Sequence, residues 1–109
     1  MIDATLMAAI LDNFKNPLLF VNTEHTIRYM NRAAIAHYDQ GLGLIGTSVL
    51  DCHNQRSQKI ITEILAAMRD GEEERLIAND EKRRIYMRAV HDSEGQLLGY
   101  YERYEPPRK

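Results

Sequence analysis

Apolar residues near the N-terminus recur every three or four positions: Ile2, Leu6, Ala9, Ile10 and Phe14. This spacing predicts a helix over residues 2–13, which the Asn16-Pro17 pair would end. The compact apolar run over residues 18–21, a polar turn, and the strand-like residues 26–30 predict a β-hairpin immediately afterwards.

The middle of the chain is predicted to contain two helices separated by an irregular segment. Asn31 is placed to cap a short helix over residues 32–38, and the glycines within residues 41–46 predict an irregular segment. The longest helix is predicted over residues 54–69 because one apolar stripe runs along it, and Gly71 would end it. The members of that stripe are Ile60, Ile61, Ile64, Leu65 and Met68.

Three strands are predicted in the last third, over residues 74–78, 83–90 and 96–104. In the second of them apolar and polar residues alternate, so one face is expected to be buried. The residues on that face are Ile85, Met87 and Ala89. The element order predicts an α+β fold, a five-stranded antiparallel sheet with helices on one face and an N-terminal capping helix.

Composition narrows the class of protein. The 109 residues fit one domain, and 14 basic against 16 acidic residues leave no basic excess for nucleic-acid binding. The mixed-sign cluster over residues 80–84 is expected to be a solvated turn. A single cysteine, Cys52, excludes an internal disulfide and a paired-cysteine zinc site. With no signal peptide and no apolar run long enough to cross a membrane, a cytoplasmic location is expected.

Three segments together resemble the PAS family. Residues 18–33, with Asn31-Arg32-Ala33 at their end, are similar to its opening hairpin and first short helix, and Leu44-Ile45-Gly46 is similar to the glycine before its next strand. Residues 92–99, Asp-Ser-Glu-Gly-Gln-Leu-Leu-Gly, are similar to its last hairpin, in which the second glycine lies inside the closing strand. The resemblance implies a sensor domain over residues 14–104, preceded by the helix at 1–13 and followed by a disordered tail at 105–109.

A narrower resemblance lies in residues 49–57, Val-Leu-Asp-Cys-His-Asn-Gln-Arg-Ser. It is similar to a His-Pro-x-Lys-Ser segment of two PAS subgroups: the module attached to hemerythrin-like proteins, and the heme-binding domain of carbon-monoxide-responsive regulators. In those regulators the histidine binds the heme iron, which implies that His53 is a metal ligand for heme b. Asn54 and Arg56 depart from the pattern. The position of the regulators' second ligand, a methionine, falls near Leu76 or Ile77, so another sixth ligand or none is implied.

The chemistry of His53 agrees with that implication. We expect it at the capping position of the long helix, where the positive helix end keeps the ring neutral, the form that binds a metal. Cys52 beside it is expected to have a lowered thiol pKa and to be an alternative iron ligand or a redox-reactive thiol, or else to be a small buried hydrophobe. Met87 is the best methionine candidate for a sixth ligand. The residues expected to line the cofactor pocket are Ile61, Leu65, Met68, Ile77, Met87 and Leu98.

Two classes of function remain after the motifs are considered. No Walker loop, GxSxG elbow or HExxH motif is present, so the chain is not expected to be an enzyme. The cysteine motif of flavin-binding photosensors is also missing. The first class is a sensor of a small ligand, which requires a cavity of about 300–1,000 Å³, and which would pass its signal to a partner. The second is a cofactor-free module that homodimerises through the N-terminal helix or the outer face of the sheet.

Overall fold

The computed structural model describes residues 3–108. Within them lie the helices α1 (Ala4–Asp12), α2 (Arg32–His37) and α3 (Gln55–Arg69), and the strands β1 (Leu18–Asn22), β2 (Ile27–Met30), β3 (Glu74–Asn79), β4 (Arg84–His91) and β5 (Leu97–Glu105). Two short 3-10 turns, Gly41–Leu44 and Val49–Cys52, fill the segment between α2 and α3. The predicted start of the first helix at Ile2 lies outside the described residues.

The five strands form one antiparallel sheet in the order β2-β1-β5-β4-β3. The first and last strands of the chain are therefore neighbours at its centre, where Leu18 pairs with Arg103 and Asn22 with Gly99. The predicted α+β fold, with its five-stranded antiparallel sheet and N-terminal helix, is confirmed.

The core lies between one face of this sheet, here called the inner face, and α3. Its predicted stripe is buried at Ile61, Ile64, Leu65 and Met68, whereas Ile60 is 44% exposed. The alternation predicted for β4 is confirmed, because Ile85 and Met87 are buried and Ala89 packs against the core. No helix in residues 3–108 is long and apolar enough to cross a membrane.

β5 contains a β-bulge that the alternation of apolar and polar residues along its sequence does not predict. Val90 of β4 pairs with Gly99 and His91 pairs with Leu97, which leaves Leu98 without a cross-strand partner. Such a bulge reverses the faces of the residues beyond it. Leu97 consequently packs against the core, whereas Leu98 is 44% exposed. The prediction that Leu98 lines a pocket is therefore wrong.

β5 also continues beyond its predicted end. Glu105, placed in the predicted tail, is the last residue of the strand, and its carboxylate lies 3.2 Å from Nη2 of Arg84 and 2.7 Å from Nε of Arg103. The Pro106 carbonyl accepts a hydrogen bond from Nε of Arg84 at 3.0 Å. The ordered part of the domain thus reaches at least Pro106, and Lys109 lies outside the described residues.

Candidate functional site

A cavity of about 530 Å³ lies between the inner face of the sheet and α3. Three isoleucines of α3, Ile60, Ile61 and Ile64, form one wall, because residues three and four apart share a helix face. Ile85 and Met87 of β4 form much of the opposite wall. Most of its surface is hydrocarbon, as is usual for a small-molecule site.

One acidic residue interrupts this apolar lining. Glu102 is on the inner face of β5, directly opposite Met87, and is only 8% exposed. No group within residues 3–108 donates a hydrogen bond to its carboxyl, and burial alone raises the pKa of Glu102 to about 7. The cavity therefore contains a carboxyl group that is poised between its neutral and ionised forms near neutral pH and has no hydrogen-bond partner in the described part of the chain.

Tyrosines surround this carboxyl. Tyr100 and Tyr104 precede and follow Glu102 on the inner face of β5, and Tyr38, just after α2, lines the cavity and hydrogen-bonds through its hydroxyl to that of Tyr104. Burial is the main cause that raises the pKa of all three tyrosines, and the charge of Glu102 adds to the rise in each. The hydroxyl of Tyr100 is buried without a hydrogen-bond partner among the described residues. The ring of His37 stands edge-on to those of Tyr38 and Tyr104, with centroids 4.9 and 5.1 Å away.

A positive charge lies next to the polar strip, the row of inner-face residues Tyr100, Glu102 and Tyr104 on β5. Arg83 lines the cavity, its guanidinium carbon lies 5.6 Å from the centre of the Tyr104 ring, and its Nε is buried without a partner in the described part of the chain. It is four residues from Met87, the partner of Glu102, or about 13 Å along the strand at roughly 3.3 Å per residue. Arg83, expected at the solvated start of a strand, lies just before β4 and is half-buried instead.

His53 and Cys52 lie in the lining, but not as expected. Both are exposed, and His53 ends the second 3-10 turn, with its backbone N–H donating to the Leu50 carbonyl at 3.1 Å. Asn54, not His53, caps α3: its side-chain oxygen accepts from the Ser57 N–H at 2.9 Å. The capping role predicted for His53 is wrong, because the amide of Asn54 fits that position. The alternative of Cys52 as a buried hydrophobe is likewise wrong.

The other predicted pocket residues divide into two groups. Ile61, Ile77 and Met87 do line the cavity together with His53 and Cys52. Leu65 and Met68 are buried one turn further along α3 in the packed core, away from the cavity. Within residues 3–108 no group of three or more histidine, cysteine, aspartate or glutamate side chains is arranged to hold a metal ion.

Sequence reasoning missed Glu102, Tyr38, Arg83 and Tyr104. The signal that could have found Glu102 was the alternation of residues in the last strand. Residues 100, 102 and 104 share one face of a strand, so an acidic residue is predicted between two tyrosines on the inner face.

Comparison with known proteins agrees with this architecture. A family model described as "PAS domain" matches residues 7–105. No curated protein matches the chain significantly.

Three solved structures are similar in fold. A C-terminal domain from Streptococcus mutans aligns with a TM-score of 0.80 and 18% identity, covering 96% of this chain and 85% of that one. A sensory box sensor histidine kinase from Vibrio cholerae gives a TM-score of 0.68 and 13% identity, covering 96% and 92%. The Aer2 receptor of Vibrio cholerae, described as a dual PAS-heme oxygen sensor, gives 0.60 and 15%, covering 84% and 94%. At these identities the similarity concerns the fold.

Glu102 generates a prediction about stability and pH. Its pKa is about 7 in the folded protein and about 4.5 when exposed, so between these values the folded state holds more protons than the unfolded one. The contribution of Glu102 to the free energy of unfolding should therefore fall as pH rises from about 4.5 to 7, by at most about 3 to 4 kcal/mol, since one pKa unit corresponds to about 1.4 kcal/mol. Urea denaturation across this range measures it.

Glu102→Gln should remove this decline and make the protein more stable than wild type at pH above about 7. Glu105→Gln, on the outer face of the same strand, is the matched control and should retain the decline. Parallel pH profiles for wild type and Glu102→Gln would contradict the prediction.

Proposed function

The chain belongs to the PAS domain family, and from that premise we propose that it is a non-catalytic sensor domain that binds a small ligand in the cavity between the inner face of the sheet and α3. The observation that carries the proposal is the cavity itself. A protein interior normally packs with few voids larger than a water molecule. A space of about 530 Å³ lined mostly by hydrocarbon, with the Nε of Arg83 on its wall unpartnered among the described residues, has the size and lining of a binding site.

The cavity also has a structural connection to the rest of the domain. The Tyr38–Tyr104 hydrogen bond joins the end of α2 to β5, and Glu102 is two residues from Tyr104 on the same strand. A ligand that competes for these groups would shift α2 relative to β5, whose far end reaches the C-terminal segment. We propose that this displacement is the signal passed to a partner protein.

A neutral fluorescent probe, N-phenyl-1-naphthylamine, tests whether the cavity binds ligands. Wild-type protein should bind it with 1:1 stoichiometry and a rise in fluorescence. Ala78→Phe, which fills the cavity from β3, should weaken binding by about tenfold or more. The matched control is Ala66→Phe, because Ala66 is exposed on α3.

Equal binding by both variants, or no binding by the wild type, would contradict the proposal. Circular dichroism of each variant separates loss of the cavity from loss of the fold.

A more specific form of the ligand proposal is that the cavity binds heme b, with His53 as the iron ligand. It is supported by the position of His53 in the cavity lining, beside Cys52, and by the aliphatic walls. Arg83, with its unpartnered Nε, would pair with a propionate. Bound heme would supply an iron that binds diatomic gases. The fit is incomplete, however, because the only ionised groups that heme would offer Glu102 are carboxylates, which would repel it.

Heme ligation makes a spectroscopic prediction. Hemin added to the wild type should give a sharp Soret band that shifts on reduction and on addition of carbon monoxide, and His53→Ala should lose it. His91→Ala is the control, since His91 is an exposed residue outside the lining. A spectrum of free hemin with the wild type, or an unchanged band in His53→Ala, would exclude His53 as the iron ligand.

Homodimerisation is the second function that we propose, and α1 is the surface that supports it. Four large apolar side chains are at least half exposed along this helix and its end: Leu6 at 55%, Met7 at 50%, Ile10 at 54% and Phe14 at 50%. Burying them against a second copy would remove this surface from water, which is favourable.

The outer face of the sheet, the alternative surface, is less suited to apolar packing. The Glu74 carboxylate lies 2.7 Å from the Arg103 guanidinium and 3.5 Å from that of Arg88. The Arg103 guanidinium also covers the Tyr86 ring, 4.3 Å from its centre. These charged groups already have partners in the monomer, so we propose α1 as the dimer contact.

A double substitution tests this contact. Leu6→Glu with Ile10→Glu should shift the protein to monomer in sedimentation velocity, because four charges per dimer would have to be buried. The control, Thr62→Glu with Ala66→Glu, adds the same charges at the same spacing on the exposed side of α3 and should remain dimeric. Identical profiles for the two double variants would contradict the proposal.

A further inference from the structure

Glu102 and its neighbours carry an inference about the chemistry of the ligand. Burying an ionised carboxylate without a partner is costly, and a ligand that supplies a hydrogen-bond donor or a positive charge offsets that cost. Glu102 is only 8% exposed, lines the cavity, and receives no hydrogen bond from residues 3–108. The ligand group that binds beside this carboxyl is therefore expected to be a hydrogen-bond donor.

The tyrosines beside Glu102 favour a donor that is also a cation. Tyr38 and Tyr104 line the cavity, and the buried Tyr100 lies two residues before Glu102 on the inner face of the same strand. Aromatic faces attract cations, and the attraction grows where water is excluded. An ammonium group has three donors. The carboxylate and the hydroxyl oxygens of Tyr38 and Tyr104 offer acceptors for them.

Other head groups suit this end of the cavity less well. A carboxylate beside Glu102 would add a second negative charge in a buried place. A purely apolar ligand would leave the carboxyl unpaired. Arg83 also lines the cavity, with its guanidinium carbon 5.6 Å from the centre of the Tyr104 ring, but burial alone shifts the pKa of Glu102, so this guanidinium does not pair with the carboxyl.

We propose that the ligand is a small amphipathic amine, whose protonated head binds the Glu102 carboxylate among the tyrosines and whose hydrocarbon body lies along Ile61, Ile64 and Met87. This inference rests on the proposed function, because it names the class of molecule that the same cavity binds. It excludes anionic amphiphiles and neutral lipids of the same length as the preferred class.

Three straight-chain probes of six carbon atoms each test the head group: n-hexylamine, 1-hexanol and hexanoate. Each is titrated into the 109-residue protein at about pH 8, where the Glu102 carboxyl is ionised and the amine is still protonated. Shifts of the Met87 methyl resonance report binding in the cavity. Hexylamine should bind about tenfold more tightly than either of the others, which is the gain from one charge-assisted hydrogen bond.

Glu102→Gln should reduce the preference for hexylamine over hexanol to about twofold or less, because the amide keeps the shape of the side chain and removes its charge. Glu105→Gln, on the outer face, should retain the full preference. If hexanol or hexanoate binds as tightly as hexylamine to the wild type, the amine assignment fails while ligand binding stands. If no probe moves the Met87 resonance, both proposals fail. The wild-type comparison alone decides the head group, whatever the variant's stability.

Discussion

The side chain of Asn31 is the interaction on which the arrangement of the domain depends. It is fully buried, and its Oδ1 accepts hydrogen bonds from the backbone N–H groups of Leu18 at 3.0 Å and Ala34 at 2.9 Å. Its Nδ2 donates to the carbonyls of Leu11 at 3.0 Å and Asn16 at 3.2 Å. One amide thus satisfies four backbone groups from α1, the segment before β1, β1 itself and α2. No other uncharged side chain of this size carries both two acceptor sites and two donors.

Because Asn31 holds the start of β1, it also supports the strand beside it. β5 pairs with β1 along its length, and at one end of this pairing the two backbones approach closely. A Cβ atom on Gly99, whose φ is +149°, would lie 2.1 Å from the carbonyl oxygen of Val21. Only glycine fits there. The bulge at this point brings Leu97, instead of Leu98, to the inner face that carries Tyr100, Glu102 and Tyr104.

The sequence predicted the features that depend only on the periodicity of apolar residues, namely which faces of β4 and α3 are buried. Alternation in β4 identified Ile85, Met87 and Ala89 as inward-facing, and helical spacing identified the buried stripe of α3. It failed where one backbone irregularity overrides periodicity: without the bulge, Leu98 is predicted to face inward. The placement of His53 failed for a different reason, since two adjacent residues can each begin a helix, and the choice between them depends on which side chain reaches the N–H group two or three positions on. The cavity itself results from packing between distant segments, which no local pattern encodes.

The two faces of β5 differ in how their acidic side chains are paired, and Glu102 on the inner face has no hydrogen-bond or ion-pair partner among residues 3–108. On the outer face, Glu105 lies within ion-pair distance of Arg84 and Arg103, and Glu74 on β3 is similarly paired. On the inner face, Arg83 lines the same cavity as Glu102, yet its charge adds nothing to the shift in the pKa of that carboxyl, which burial alone raises to about 7. A core selected for stability alone would replace Glu102 with an apolar residue or place a donor beside it, since unpaired buried polar groups destabilise a fold. Side chains that break this rule are concentrated at functional sites. Glu102 lowers the free energy of unfolding of the isolated domain. This is best explained if the ligand that the cavity binds supplies the hydrogen-bond donor for its carboxyl.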